Sequence, residues 1–240
     1  MKHDVEHESG FTFVEMLVVI TIIAILAGLL SPVLSAAKNR AGRVTCSNNL
    51  RQINLGVRMY ADDSNDKLPR RVKGQDVCSF YKAYMKSYVG LTGASSARDR
   101  LFACPADVFY YDIDVKWPGP FVGYVPESLC SQSNLDFSSY TFNGWNQKTN
   151  VVLPGIAGMT FSSIKHPART VLLAEFPAFE AYSWHQPKRP LVRRGQFRFN
   201  NAMDVVSFAD GHVSYIKMFW QTEGLRHDPA EGYDYQWSGN

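Results

Sequence analysis

Residues 10–37 read GFTFVEMLVVITIIAILAGLLSPVLSAA, and the organisation of the chain turns on them. From Met16 to Ala37 there are 22 residues without a charge. At about 1.5 Å per residue, roughly 20 apolar residues span a ~30 Å hydrocarbon core as a helix. A secretory signal has a basic start, an apolar stretch of about 7–15 residues and a small-residue cleavage site after it. Here the leader MKHDVEHESG sets Lys2 against Asp4, Glu6 and Glu8, and the apolar run is too long. Its far flank, SPVLSAAKNRAG, does hold small residues near Leu34-Ser35-Ala36. Signal cleavage there and an unprocessed anchor are therefore the two plain alternatives.

Glu15 is the odd residue, a carboxylate in the first turns of an apolar helix. A lone charge in a bilayer costs about 2.5–3.5 kcal/mol or more, so it usually has a partner. A free α-amino group on a neighbouring chain would serve, provided the chain is cut before Phe11. Gly10 to Glu15, G-F-T-F-V-E, strongly resembles the type IV prepilin processing site. The resemblance implies cleavage after Gly10 by a prepilin peptidase, methylation of the new N-terminal Phe11, and assembly guided by Glu15. Pro32 stands where pilins often carry a kinking proline. Lacking an N–H, it is expected to bend or locally melt the helix. Ala24, Ala27 and Gly28 offer a small-residue seam between helices. The family further implies an inner-membrane, single-pass protein with its head outside the cytoplasm. Its partners would be other pilin-like subunits, a homo-oligomeric filament and an assembly platform. One pattern opposes that topology: Lys38, Arg40 and Arg43 follow the span, and basic flanks usually stay inside.

Past Ala37 the helical pattern continues. Leu50, Ile53, Asn54, Val57, Tyr60 and Ala61 recur at helical spacing, with Arg51 and Arg58 off that face. Asp62-Asp63-Ser64-Asn65-Asp66 and Pro69 end it. Thr170–Glu175 (TVLLAE) predicts a buried strand between Pro167 and Pro177. Val205–Ala209 and His212–Met218 predict a hairpin on a type I′ turn at Asp210-Gly211. The expected fold is α+β, a long N-terminal helix whose distal half packs on an antiparallel sheet. The expected divisions are 1–10 leader, 11–37 transmembrane and assembly helix, 38–68 amphipathic continuation and 69–240 β-rich head.

Cys46 to Pro69, CSNNLRQINLGVRMYADDSNDKLP, also resembles a subgroup of pilin-like proteins in which such a sequence joins anchor to head. Met203–Lys217, Leu101–Pro105 and Ser139–Gly144 are similar to further pieces of it. That subgroup carries a His, nine residues, then Asp-Gly. Here the Asp-Gly is Asp210-Gly211 but the His position holds Asn200.

With 45% hydrophobic and 20% charged residues the 240-residue chain reads as globular. A net charge of +3, without blocks of like charge, implies no nucleic-acid partner. Cys46, Cys78, Cys104 and Cys130 permit two disulfides with three connectivities, and Cys104 is the favoured member. Their wide spacing matches no zinc pattern. No G-x-S-x-G occurs, and neither Ser183 nor Ser207 has an obvious base, so no catalytic activity is expected. Asp204, Asp210 and His212 read first as a turn and its flanks; His166, His185 and His227 are scattered. No cofactor is implied; Ca2+ on Asp107, Asp112 and Asp114 is the one ion with a suggestive spacing. Trp117, Trp145, Trp184, Trp220 and Trp237 raise the alternative of a membrane-tethered module binding carbohydrate or another surface polymer.

Overall fold

The computed structural model describes residues 12–70, 77–113, 122–144, 147–148, 152–153, 155–187, 199–219, 228–229 and 231–240. The chain forms two compact units, Met1–Ala41 and Gly42–Asn240, and helix α1 (Phe13–Asp63) contributes to both. Gly42 falls inside the stretch read as the amphipathic continuation of the helix, 38–68, and α1 beyond it lies in the second unit.

In the first unit every residue from Thr12 to Ala41 is exposed, including Leu29, Leu34 and Ile25. A helix that is apolar all round is stable only when something apolar surrounds it. This one is long and apolar enough to cross a membrane. The local melting expected at Pro32 does not occur, since α1 is helical on both sides of it and through it. Proline removes one N–H and crowds the carbonyl four residues back.

In the second unit α1 buries Cys46, Asn49, Leu50, Ile53, Asn54, Gly56, Val57 and Ala61, a stripe at helical spacing. Two short helices, α2 (Val77–Phe80) and α3 (Lys82–Met85), and a 3₁₀ turn at Ser87–Val89 follow. Gly56 lets that turn approach, because a Cβ there would stand 2.8 Å from Val89 Cγ1. Lys82 and Lys86 are buried and converge on Asp99 at 3.0 and 2.9 Å. Burial alone would raise the Asp99 carboxyl. Bonds from Lys86, the Ser96 N–H and Lys82 hold it below its ordinary range instead.

The strands are β1 (Tyr110–Ile113), β2 (Val122–Val125), β3 (Tyr140–Phe142), β4 (Gln147–Lys148), β5 (Val152–Leu153), β6 (Val171–Glu175), β7 (Ala202–Phe208) and β8 (Val213–Met218). The main sheet is antiparallel in the order β3-β6-β7-β8, with β1-β2 and β4-β5 as separate hairpins. One core joins Leu50, Ile53 and Val57 of α1 to Phe142, Leu173 and Val205 of the sheet. A second core joins Val171, Ala174, Val206 and Phe208 to helix α4 (Phe176–Glu180) and to Tyr235 and Trp237. Strand β6 is thus covered on both faces, which is why VLLAE reads as a run and not as an alternation. Each large aliphatic side chain so buried contributes about 1.5–3 kcal/mol. The fold is α+β and pilin-like.

Candidate functional site

The start of α1 is closed by a reciprocal pair. Thr12 donates its backbone N–H and its hydroxyl to Glu15 Oε2, each at 2.8 Å. The Glu15 N–H donates back to Thr12 Oγ1 at 3.2 Å. This is a T-x-x-E capping box, which satisfies donors that the first helical turn would otherwise leave orphaned. Glu15 therefore already accepts two donors within one chain, and a neighbour's amine would have to share or displace them. The Thr12–Glu15 spacing is the sequence signal for that cap. Gly10 and Phe11, the expected cleavage and methylation positions, lie outside the described residues.

The four stretches read as resembling one subgroup meet in space. Asn49 Nδ2 on α1 donates to the Ala103 carbonyl and to Tyr140 Oη, both at 3.1 Å. Asn54 Nδ2 donates to Ser207 Oγ and to the Phe208 carbonyl at 2.5 and 2.8 Å. Arg58 Nη1 reaches the Asp210 carbonyl at 2.8 Å. The hairpin tip is thereby held against the distal helix. Its turn differs from the two-residue type I′ expected for Asp210-Gly211. The Phe208 N–H bonds the His212 carbonyl at 3.0 Å, which leaves a three-residue loop, and within the pair only Gly211 has positive φ, at 102°. Asp210 Oδ1 accepts the His212 N–H at 3.0 Å and pairs with His212 Nδ1 at 2.6 Å, while the imidazole stacks on Phe208. These two residues lock the turn. Asn200 lies in the exposed turn just before β7.

Asp204 stands apart from them. It is fully buried, and neither carboxyl oxygen has a hydrogen-bond partner among the described residues. Burial, and then the charge on Glu175, push its carboxyl well above the ordinary range. Asp107, one of the Ca2+ candidates, is saturated by the protein's own donors. It accepts from the Leu129 and Cys130 N–H groups and from the Ser128 and Ser139 hydroxyls at 2.7–3.0 Å. Burial still lifts its carboxyl above the ordinary value. The Asp112 side chain and Asp114 lie outside the described residues.

Cys46 on α1 and Cys104 form a disulfide across 58 residues with Cα atoms 5.2 Å apart, a normal spacing. Cys78 and Cys130 are buried thiols, so the four cysteines make one bond and not two. Burial, and then the charge of Asp107, raise the Cys130 thiol. Beside the disulfide sits a carboxylate–imidazole pair that the sequence patterns do not reveal. Glu175 Oε1 meets His185 Nε2 at 2.8 Å, and Glu175 Oε2 accepts the Val205 N–H at 3.0 Å. The available signal is a lone Glu closing an apolar strand, TVLLAE.

Ser183, Ser207, Trp184 and Trp237 are engaged within the fold. The Ser183 hydroxyl donates to the Met203 carbonyl, and that of Ser207 is engaged by Asn54. Trp184 is buried with its indole N–H on the Phe109 carbonyl, and Trp237 is buried in the second core. Trp117, Trp145, Trp220 and His227 lie outside the described residues.

The prokaryotic N-terminal methylation motif matches residues 7–31. No curated protein and no solved structure matches the chain. The matched segment holds Gly10, Phe11 and the capped Glu15, together with most of the exposed apolar helix. Such a motif points to a structural subunit rather than an enzyme. This motif fits the type IV pilin-like and pseudopilin family.

Proposed function

We propose that this chain is a minor subunit of a type II secretion or type IV pilus-like filament, assembled through its N-terminal helix. A prepilin peptidase cuts after Gly10, and Phe11 becomes the methylated N-terminus. Removal of ten residues leaves a 230-residue subunit with 24 basic and 19 acidic residues, larger than many major subunits. The helix first sits in the inner membrane with the head outside the cytoplasm, despite the basic flank at Lys38, Arg40 and Arg43. An assembly platform then extracts it into the filament, where neighbouring helices replace lipid. The head carries the subgroup likeness of its hairpin, with Asn200 at the His position.

The observation that carries this proposal is the wholly exposed apolar helix with one carboxylate at its start. In water that surface would be costly at about 25 cal/mol per Å2, so the helix needs lipid or sister helices around it. Membrane helices associate through close packing and polar contacts. Glu15 supplies the polar contact, toward the free amine of a neighbouring Phe11.

The test is the intact mass of the N-terminal peptide, from cells with and without a prepilin peptidase. A peptide beginning at methylated Phe11, seen only with the peptidase, is expected. A peptide retaining Met1–Gly10 in both strains would sink the proposal and leave a signal-anchored head. The tethered polymer-binding alternative draws no support from Trp184 and Trp237, which fill cores.

A further inference from the structure

Among the described residues one place gathers four metal-ligating side chains. Cys46 Sγ, Cys104 Sγ, a Glu175 carboxylate oxygen and a His185 ring nitrogen all lie within 4.8 Å of one another. They come from distant parts of the head: α1, the loop after Phe102, the end of β6 and the loop after α4. All four are shut away from solvent. Cys46 and Glu175 are fully buried, Cys104 is 3% exposed, and the His185 side chain is 3% exposed.

Packing alone does not account for this composition. Burying a carboxylate is costly unless it is paired. Glu175 has one backbone donor and one imidazole, and its Oε1 also stands 3.2 Å from Cys104 Sγ. A disulfide sulfur has no proton to give, so that third contact yields no hydrogen bond while the S–S bond exists. With the bond reduced, the same sulfur becomes a thiol beside a carboxylate and an imidazole, and it can exchange its proton for a metal. Those three groups and the second sulfur want a shared cation.

We propose that the head, with Cys46–Cys104 reduced, holds one Zn2+ on Cys46, Cys104, Glu175 and His185. A dithiol or phosphine reductant supplies two electrons, and two protons are taken up as the S–S bond breaks into two thiols. Zn2+ then displaces those two protons and forms two Zn–S bonds, while neutral His185 and ionised Glu175 complete the set. Two sulfurs, one nitrogen and one oxygen suit tetrahedral zinc, and are too soft a set for Ca2+ or Mg2+.

The geometry needs the two sulfurs to part from bonding distance and the other ligands to move less. Bonds of about 2.0–2.3 Å in a tetrahedron separate ligand atoms by roughly 3.3–3.8 Å. Cys104 Sγ already stands 3.2 Å from Glu175 Oε1 and 3.9 Å from His185 Nε2. Glu175 Oε1 and His185 Nε2, at 2.8 Å, must part by about 0.5 Å to meet that spacing. The Val205 N–H fixes the far oxygen of Glu175, the kind of outer contact that orients a metal ligand. The edge of Tyr215 meets the His185 ring at 5.9 Å between centroids. Disulfide and zinc are thus two alternative clasps on α1, selected by redox state, the first reaching the loop after Phe102 and the second also the end of β6.

The test uses the full chain in detergent, reduced with a phosphine, incubated with Zn2+ alone and separated from free metal before metal analysis. One zinc per reduced chain is expected and none per oxidised chain. Co2+ in its place should give the intense visible bands of tetrahedral thiolate coordination. His185→Gln and Glu175→Gln should each weaken zinc at least about 100-fold, beyond what outer-contact changes cost. Both variants keep the disulfide, so their oxidised forms can be checked for a native fold even where Cys104→Ser fails to fold. Zinc bound equally by oxidised and reduced chains, zinc unaffected by both variants, or no stoichiometric zinc on reduction would each overturn the proposal.

Discussion

The two units of this protein solve opposite problems. The first keeps every side chain from Thr12 to Ala41 exposed and satisfies its polar atoms locally, with Thr12 and Glu15 capping each other. The second buries large apolar residues on both faces of β6 and β7 and ties distant segments together through Asn49, Asn54 and Cys46. A helix needs only its own backbone to be complete, so it tolerates waiting for a partner. A sheet with two covered faces does not. The first unit is built for other molecules, and the second for itself.

That contrast breaks first at Glu15. Glu15→Ala should abolish filament formation while leaving membrane insertion and the melting of the head unchanged. Each subunit then lacks one charge-assisted contact of about 1.5–3 kcal/mol, repeated along the whole assembly. Sheared filament yield and head melting temperature, measured on the same strain, decide it. Wild-type assembly of the variant would disconnect Glu15 from the filament.

Cys104→Ser comes next, with the opposite pattern. Opening a loop that spans 58 residues should cost the head about 4 kcal/mol in the chain-entropy account. Urea unfolding in the presence of a metal chelator measures this, and helicity of the first unit in detergent should not change. An unaltered urea midpoint would mean that the clasp does not hold the head.

The same substitution in both units sharpens the comparison further. Ile53→Ala removes a fully buried side chain and should destabilise the head by about 3 kcal/mol. Ile23→Ala alters a residue that is 60% exposed and should leave head unfolding where it was. Equal effects at the two positions would contradict the division into units.

The smallest effect is a slope. Because the folded state raises the Asp204 carboxyl above 3.8, it binds that proton more tightly than the unfolded chain. The stability this gives is complete below about pH 4 and is lost as pH rises toward the folded value. One proton changes stability by no more than about 1.4 kcal/mol per pH unit. Asp204→Asn should flatten that part of the urea midpoint against pH curve. An unchanged curve would mean that Asp204 titrates alike in both states.

How much was legible without coordinates differs between the units for the same physical reason. In the helix, the relevant contacts lie three or four residues apart, so composition and spacing speak directly. Gly10, Phe11, Glu15 and the uncharged run to Ala37 mark the segment that carries the methylation motif, and the stripe from Leu50 to Ala61 marks the buried face. Even there, of the bend or local melting expected at Pro32, melting does not occur, because a single missing N–H is outweighed by the intact turns around it. In the head, TVLLAE and the hairpin are visible because strand patterns are local too. The turn type at Asp210-Gly211 is not local, since Arg58 and Asn54 hold the tip from another element.

The sequence by itself determined that an apolar helix with one early carboxylate leads an α+β head, since periodicity and uncharged length are properties of neighbouring residues. Only the tertiary structure decided that Cys104 bonds Cys46, that Cys78 and Cys130 stay thiols, and that Glu175 and His185 meet beside that bond. Those residues lie up to 139 positions apart, from Cys46 to His185. No spacing rule reaches across such a gap; the packing of α1 against the sheet does.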